Sequence, residues 1–220
     1  GPSESESIKA YIRPETAKLI FTNFKSVFEN SRMKLPCGIA QTGKAFRNEI
    51  SPREFLFRSR EFEQMEIEYF IAHDMPCPYL DEIQGIEMQI LSEDDQTKEK
   101  ESKLIKVTEA IKKKIIKNEW HGYFLAFELS WFISLGADPN KFRARQHTSE
   151  ERSHYASDTW DLEYEFPMGW RELQGFANRS DYDLKQHEKY SKKSLEVLDP
   201  EKGKIIPEVV CEPSLGVERA

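Results

Sequence analysis

The chain has 220 residues, of which 38% are hydrophobic and 32% charged, and its formal net charge is −7. This length can bury one substantial core, and the negative charge argues against a general nucleic-acid coat, although a local basic groove is compatible with it. We expect no membrane span and no signal peptide, and the three isolated cysteines argue against a disulfide framework or a structural zinc site and favour the cytoplasm.

The first half of the chain predicts a helix followed by a hairpin. A polar lead at 1–7 is expected to be flexible, and apolar residues at helical spacing in 13–31 predict an amphipathic helix. The alternating segments 38–50 and 61–74 predict two antiparallel strands, joined by the arginine-bearing loop 51–60.

The second half predicts helices followed by strands. The charged tract 92–103 is interpreted as a solvated loop or the start of a helix. Near-helical spacing of apolar residues in 104–131 predicts one or two long helices packed on a sheet, and further strands are predicted at 158–166, 169–180 and 206–216. Strands separated by helices around a central hairpin predict an α+β fold with a mostly antiparallel sheet flanked by helices.

One face of the predicted hairpin carries polar and charged side chains. They are Gln41, Arg47, Glu49, Gln64, Glu66 and Glu68. Buried charge is costly unless the groups pair with each other or meet a charged ligand, so a ladder of cross-strand ion pairs is one interpretation. The other is a phosphate site, because guanidinium groups bind phosphates bidentately and the loop adds Arg53, Arg58 and Arg60.

The sequence lacks the common alternative signatures for phosphate binding and nucleophilic catalysis. It has no P-loop, no glycine-rich dinucleotide fingerprint and no GxSxG elbow. Its five histidines lack metal-ligand spacing, so we expect them to lie at the surface or to form hydrogen bonds.

Four segments together resemble the class II aminoacyl-tRNA synthetases, specifically the dimeric glycyl-tRNA synthetases. The segment 46–70, FRNEISPREFLFRSREFEQMEIEYF, resembles motif 2, and YIRPETAKLIF at 11–21 resembles the glycine-pocket segment RPETAQGIF. The segment 160–187, which includes GWRELQG, resembles the next two strands, and EPSLGVER at 212–219 resembles the start of motif 3. The motifs follow the family's order from about residue 11 to the end, which makes the resemblance specific.

The resemblance implies a class II catalytic core that binds ATP with Mg²⁺. Arg47 is implied to hold the α-phosphate and Arg219 the γ-phosphate, and these two are the implied catalytic residues because they stabilise developing charge. Glu172 is also the implied Mg²⁺ ligand. The implied ATP-binding residues are Arg47, Asn48, Glu49, Phe57, Arg58, Ser59, Arg60, Glu61, Phe62, Glu172, Leu173, Gly216, Val217, Glu218 and Arg219.

The resemblance also implies an amino-acid pocket rich in carboxylates, which suits the ammonium of glycine. Selectivity for glycine must come from excluding a Cβ, since a missing methylene is worth only about 1–3 kcal/mol. From the residues alone, Glu15 is equally a first-turn helix residue favoured by the helix dipole. The implied glycine-binding residues are Glu15, Phe62, Glu63, Gln64, Met65, Glu66, Glu212, Pro213, Ser214, Leu215 and Gly216.

The chain departs from the family at two positions, where Lys18 and Leu19 replace a glutamine and a glycine. We expect 1–73 to be the motif 2 part of the catalytic domain, 74–118 a mostly helical insertion, and 119–220 the remainder up to motif 3. The insertion is interpreted as packing with a solvated face, or as a clamp over the acceptor end of the tRNA. Motif 1 and a C-terminal anticodon-binding domain are absent from this chain, so we expect it to be part of a longer protein.

The expected partners are tRNA(Gly), glycine and ATP, with a homodimer in the full-length protein and no membrane. The implied function is a ligase that forms glycyl-adenylate and transfers glycine to the 3′ end of the tRNA. Two alternatives are a non-catalytic synthetase-like protein, such as the accessory subunit of the mitochondrial DNA polymerase, and a class II synthetase for another small amino acid such as proline or threonine.

Overall fold

The computed structural model describes residues 11–220, so the flexible lead expected at 1–7 lies outside the described residues. Within that range the strands are β1 Cys37–Phe46, β2 Glu61–Ile71, β3 Glu87–Leu91, β4 Lys103–Lys106, β5 Phe142–Gln146, β6 Asp158–Phe166, β7 Gly169–Asn178, β8 Val197–Asp199, β9 Gly203–Ile205 and β10 Glu208–Gly216. Eight of them form one sheet with the order β1-β2-β10-β7-β6-β5-β3-β4, and a second sheet pairs β8 with β9.

Helices cover both faces of the large sheet. They are α1 Ala17–Asn30, α2 Glu93–Thr97, α3 Val107–Lys112, α4 Glu119–Ser134 and α5 Tyr182–Ser191. In the large sheet β3 and β5 pair in parallel and the other neighbouring strands are antiparallel. The prediction of an α+β fold with a mostly antiparallel sheet is therefore confirmed.

The two apolar layers are separate. On one side of the sheet, α1 buries Phe21, Phe24 and Phe28 against Phe70 of β2 and Leu184 of α5. Its apolar residues recur three and four positions apart, which puts them on one stripe of the helix. The predicted helix is confirmed, but it begins at Ala17 rather than near residue 13.

On the other side of the sheet, α4 is the central helix. Trp120, Phe124 and Phe132 lie in the larger core cluster, together with the inward-facing residues of β6. Phe127 and Trp131 have the same apparent helical spacing, yet they are 48% and 37% exposed. The spacing therefore predicted the helix correctly but only part of its buried face.

The segment 74–118 is not mostly helical as expected. It contributes β3 and β4 to the edge of the large sheet, and its helices α2 and α3 have only five and six residues. The helical run predicted from Leu104 is wrong at its start, because Leu104 lies in β4 and is 62% exposed. Val107 is the first helical residue.

Candidate functional site

A pocket opens on the α1 side of the sheet, where β2, β7 and β10 meet the loop after β1. Eleven of its lining residues belong to the implied ATP or glycine sets, and Leu56 is the one that the sequence did not indicate. The lining residues are Arg47, Glu49, Leu56, Phe57, Ser59, Phe62, Gln64, Glu172, Ser214, Gly216, Glu218 and Arg219.

Arg47 lies just beyond the end of β1, not on a strand as predicted. The pairing of β1 with β2 ends at Phe46, and the N–H of Arg47 then donates to the carbonyl of Arg60 at 3.0 Å. Its Nε donates to the Pro14 carbonyl at 3.2 Å, and its guanidinium carbon lies 5.1 Å from the centre of the Phe62 ring. Arg47 is thus a loop residue that both flanking strands position.

Arg219 approaches the same pocket from the turn that follows β10. Its Nη2 donates to the Phe57 carbonyl at 2.9 Å and its Nη1 to the Glu172 carbonyl at 3.3 Å. The guanidinium carbon lies 5.2 Å from the centre of the Phe57 ring. Two guanidinium groups from distant parts of the chain therefore line one pocket, an arrangement suited to a polyanionic ligand.

The loop arginines are not among the residues that line this pocket. Arg53, Arg58 and Arg60 are all exposed, and the Nε of Arg60 donates to the Glu49 carbonyl at 3.0 Å. The backbones of Arg53 and Arg58 bridge each other across the loop. Arg47 and Arg219 are therefore the two predicted phosphate-binding arginines that line the pocket in this structure.

The remaining members of the two implied sets are divided by strand alternation, which sends neighbouring side chains to opposite faces. Met65, Pro213 and Leu215 line an apolar hollow beside Trp131 on the α4 side, and Leu173 is buried in the larger core. The others that do not line the pocket are Asn48, Arg58, Arg60, Glu61, Val217, Glu15, Glu63, Glu66 and Glu212.

Three glutamates of the implied sets have local structural contacts. Glu61 forms an exposed ion pair with Lys44. The carboxylate of Glu218 accepts the N–H of Glu63 at 2.9 Å. The side chain of Glu63 itself is exposed.

The RPETA segment crosses the hairpin at a glycine. The N–H of Phe46 donates to the Arg13 carbonyl at 2.9 Å, and the Nε of Arg13 donates to the Lys44 carbonyl at 2.6 Å. A Cβ at Gly43 would lie only 2.3 Å from a guanidinium nitrogen of Arg13. Gly43 therefore leaves the space that this crossing needs.

Glu66 accepts the free donors at the start of α1. One carboxylate oxygen accepts the Thr16 N–H at 2.8 Å, the Ala17 N–H at 2.7 Å and the Thr16 hydroxyl. The other accepts from Gln64 Nε2 at 2.6 Å and from the Ser214 hydroxyl at 3.0 Å. The helix-start role considered for Glu15 thus belongs to Glu66, since the first N–H groups of a helix lack partners within it.

Arg179 is the residue that the sequence reasoning missed. It is 3% exposed, and it donates to Glu212 at 2.6 Å and to both carboxylate oxygens of Asp183 at 2.7 and 3.0 Å. Its guanidinium carbon lies 4.2 Å from the centre of the Tyr155 ring. An arginine two positions after the last buried apolar residue of a strand was the available signal, because such an arginine, if buried, needs buried partners.

Buried carboxylates outnumber this cation. Glu68 is fully buried, and neither of its carboxylate oxygens has a hydrogen bond among the described residues. Burial and the neighbouring Glu212 raise the pKa of Glu68 well above its usual range. Burial also raises the pKa of Glu212 to about 7, although Arg179 opposes the shift. Glu15, whose side chain is 20% exposed, lies 3.9 Å from Arg179.

A pair of carboxylates flanks the pocket near Gly175. A Cβ built on Gly175 would lie 3.7 Å from Glu172 Oε1 and 3.8 Å from Asp161 Oδ1, so the two carboxylates are close neighbours. The other oxygen of Asp161 is 2.7 Å from Nε2 of His147. The described residues hold no group of three or more metal-binding side chains, but Mg²⁺ bound with a nucleotide needs only one or two carboxylates.

The sequence aligns over its full length with sequences of known proteins. It is 42% identical over 219 residues to the glycine–tRNA ligase of Geobacillus thermodenitrificans and 41% identical over 222 residues to that of Thermobifida fusca; each alignment covers all of this chain. The chain is homologous to a segment of glycine–tRNA ligases. It spans about 38–39% of the length of these glycine–tRNA ligases. No family model matches it.

A solved structure supports the fold. The prolyl-tRNA synthetase of Giardia lamblia in complex with prolyl-adenylate matches 94% of this chain and 32% of that one, with a TM-score of 0.54 and 15% identity. At this identity the likeness concerns the fold alone, and it supports the α+β architecture described above. No helix in residues 11–220 is long and apolar enough to span a membrane.

Proposed function

We propose that the chain is the adenylate-forming part of a glycine–tRNA ligase, which activates glycine with ATP and transfers it to the 3′ end of tRNA(Gly). The observation that supports this best is the adjacency of two unlike subsites. A pocket lined by Arg47 and Arg219 is linked through Gln64 and Ser214 to Glu66, beside the carboxylates that surround Arg179. One subsite suits a triphosphate and the other suits an ammonium.

In the proposed complex the pocket holds ATP. Arg47 lies against the face of Phe62, and Arg219 lies against Phe57, so each cation is held by an aromatic ring and a backbone carbonyl before the ligand arrives. Pre-placed cations of this kind stabilise charge that develops during the reaction without reorganising at that moment. The carboxylates of Glu172 and Asp161 are the residues that fit Mg²⁺, which would neutralise phosphate charge when bound.

The amino-acid subsite has a surplus of negative charge. Glu15, Glu68 and Glu212 surround Arg179 together with Asp183, so one guanidinium faces four carboxyl groups. An isolated buried carboxylate either finds a cation or takes up a proton. The ammonium of glycine supplies the missing cation, and the partly exposed Glu15 is the carboxylate most accessible to it.

The reaction consists of two displacements. A glycine carboxylate oxygen attacks the α-phosphorus of ATP, a new O–P bond forms, the bond to the bridging oxygen breaks and pyrophosphate leaves. A ribose hydroxyl at the tRNA end then attacks the glycyl carbonyl, the ester bond to the ribose forms, the bond between the glycyl carbon and the adenylate oxygen breaks, AMP leaves and the hydroxyl proton passes to solvent. Neither step requires a protein nucleophile, so the chain acts by positioning and charge stabilisation.

The proposal has two finer parts, which are homodimerisation of the whole protein and a location in the cytoplasm. The first follows from the resemblance of the motifs to those of dimeric glycyl-tRNA synthetases, and the second from the isolated cysteines. Lys18 and Leu19, the two departures from the family, lie on α1 next to the start of the helix, where Lys18 is exposed. The proposal expects glycine specificity to survive both.

Glycine-dependent exchange of pyrophosphate into ATP tests the proposal, with alanine, serine and proline as controls. Exchange with glycine alone is the expected result. Exchange with proline instead of glycine would transfer the assignment to another synthetase specificity. No exchange with any of the four amino acids, both in this chain and in a longer protein that contains it, would leave the non-catalytic alternative.

A further inference from the structure

A basic groove runs between α1 and α5, on a surface that the proposed adenylation site does not use. Three adjoining hollows form it, and Ser194 lines all three. Lys25 and Glu29 line the first and second hollows, and Lys193 lines the second and third. The cations of this lysine groove are Lys25, Arg32, Lys185, Lys189, Lys192, Lys193 and Lys204.

The cations of the lysine groove are less neutralised than its carboxylates. Lys25 lies 3.5 Å from Glu29, and Glu188 accepts the Leu195 N–H at 2.9 Å. Glu196 accepts from the Ser194 hydroxyl at 3.2 Å. Lys185 forms an ion pair with Asp181. Within the described part of the chain, the other five groove cations have no carboxylate within 4.0 Å and are exposed. A chain with a net charge of −7 thus carries a locally positive surface.

Helix electrostatics explains only part of this distribution. Lysines near the C-terminus of a helix complement its dipole, which accounts for Lys189 and Lys192 at the end of α5. Lys25 lies in the middle of α1, Arg32 follows the end of α1, and Lys204 lies on β9. Together with the lysines of α5, the groove cations thus come from three separate elements, α1, α5 and β9, so the helix dipole is not a sufficient reason for their convergence.

An exposed aromatic ring accompanies the cations. Tyr190 is 77% exposed, and the Nζ of Lys189 lies 5.5 Å from the centre of its ring. Surfaces that bind single-stranded or irregular nucleic acid combine basic grooves, which follow the backbone, with aromatic rings on which bases stack. We propose that the lysine groove binds the phosphodiester backbone of RNA and that its occupant is the tRNA of the proposed reaction. This partner, though not the groove, rests on the proposed function, since that reaction requires a polyanionic tRNA.

The test compares two neutralised triple variants by their affinity for an unmodified tRNA transcript with a glycine anticodon. Lys189→Gln, Lys193→Gln and Lys204→Gln are combined in the groove variant. A charge-matched control combines Lys112→Gln, Lys117→Gln and Lys141→Gln, all of them exposed and outside the groove. Lys112 and Lys117 lie in the segment 74–118, the rival surface for contact with the acceptor end of the tRNA. Both variants change the net charge equally.

The groove variant is expected to bind the transcript on the order of 10-fold more weakly at moderate salt. Because each lost phosphate contact removes about 0.7–0.9 from the slope of log K against log salt concentration, the slope should fall by about 2–3. The control should match the wild type. Equal losses in both variants, or none in either, would overturn the proposal, as would a groove variant that lost only its affinity for vesicles containing phosphatidylserine.

A second measurement needs no variant. Acylation of lysine amines in the wild type, with and without the transcript, is expected to show protection of Lys189, Lys193 and Lys204 but not of Lys112 or Lys117. Protection spread over all five lysines would contradict a specific groove. Glycine-dependent exchange requires no tRNA, so its failure with intact transcript binding would remove the proposed function and leave the groove standing.

Discussion

Replacement of Glu66 by alanine should destabilise the protein far more than replacement of its near neighbour Glu63. Both residues lie on β2 in the segment FEQME. Glu66 is 2% exposed and accepts the donors at the start of α1, whereas Glu63 is exposed. The comparison therefore separates a structural role from membership of the same sequence motif.

The size of the effect follows from the donors that lose their acceptor. The alanine variant leaves the N–H groups of Thr16 and Ala17 and the hydroxyl of Thr16 without their partner, and both residues are fully buried. A buried unsatisfied donor costs about 1–3 kcal/mol, so the lower limit gives about 3 kcal/mol. Loss of one negative charge near Glu68 and Glu212 offsets part of this. The offset is small near pH 6, because the raised pKa values of these groups keep them largely neutral there.

Urea unfolding at pH 6, followed by circular dichroism, measures the difference. Glu66→Ala is expected to lower the free energy of unfolding by about 3–5 kcal/mol, and Glu63→Ala by less than about 0.5 kcal/mol. Glu66→Gln keeps an acceptor oxygen in place and should lie between them. A loss below about 1 kcal/mol in Glu66→Ala, or equal losses in the two alanine variants, would refute the capping role.

Three further predictions concern the arginines and the buried carboxyl groups. Arg47→Ala is expected to reduce glycine-dependent exchange about 100-fold or more, while Arg53→Ala, an exposed arginine that does not line the pocket, remains near the wild type; equal activities would remove the role of Arg47. Glu68→Gln is expected to exceed the wild type in free energy of unfolding at pH 8 but not at pH 4, because the pKa of Glu68 is raised by burial. Stability from such a group is present below its unfolded pKa and is lost as the pH rises through the folded value, so a constant difference between the two pH values would contradict the assignment. Arg179→Met is expected to lower the free energy of unfolding by about 3–5 kcal/mol at pH 8, since it leaves buried carboxylates unpaired. The loss should be smaller at pH 5, where Glu212, with a pKa of about 7, is neutral. A loss that is independent of pH would contradict the pairing of Arg179 with Glu212.

The sequence predicted which side chains of the hairpin share a face, but not which face is more deeply buried. Alternation correctly placed Gln64, Glu66 and Glu68 together. These polar residues are buried, whereas Met65 and Ile67 on the apolar face are only partly covered. The reason is that α1 packs on the polar face. It is held there by hydrogen bonds between residues that are about 50 positions apart in the chain. Local periodicity carries no information about such contacts.

Segments whose pairing is long-range were predicted less well than segments with strong local patterns. The bounds of β6 agree with the predicted strand at 158–166, since four inward-facing apolar residues alternate there. The short β3 pairs in parallel with β5, about 50 residues later, and β4 has no buried residue. Without a buried alternating face, β4 had no strand signal, and its apolar residues read as the start of a helix.

The contacts also divide the implied glycine set into two kinds of residue. Glu66 has its acceptor oxygens engaged by five donors from the protein, so it has little capacity left for a ligand. Among the described residues, Glu15 has a partly exposed side chain and only a long contact to Arg179, and no N–H or hydroxyl donor bonds to the carboxylate of Glu68. A carboxylate already satisfied by the fold gains little from an added ammonium, whereas an unsatisfied one gains a charge-assisted partner. In the proposed complex we therefore expect Glu15 to contact glycine, Glu68 to be a buried carboxyl group whose ionisation the added ammonium would favour, and Glu66 to hold in place the helix start next to Glu15.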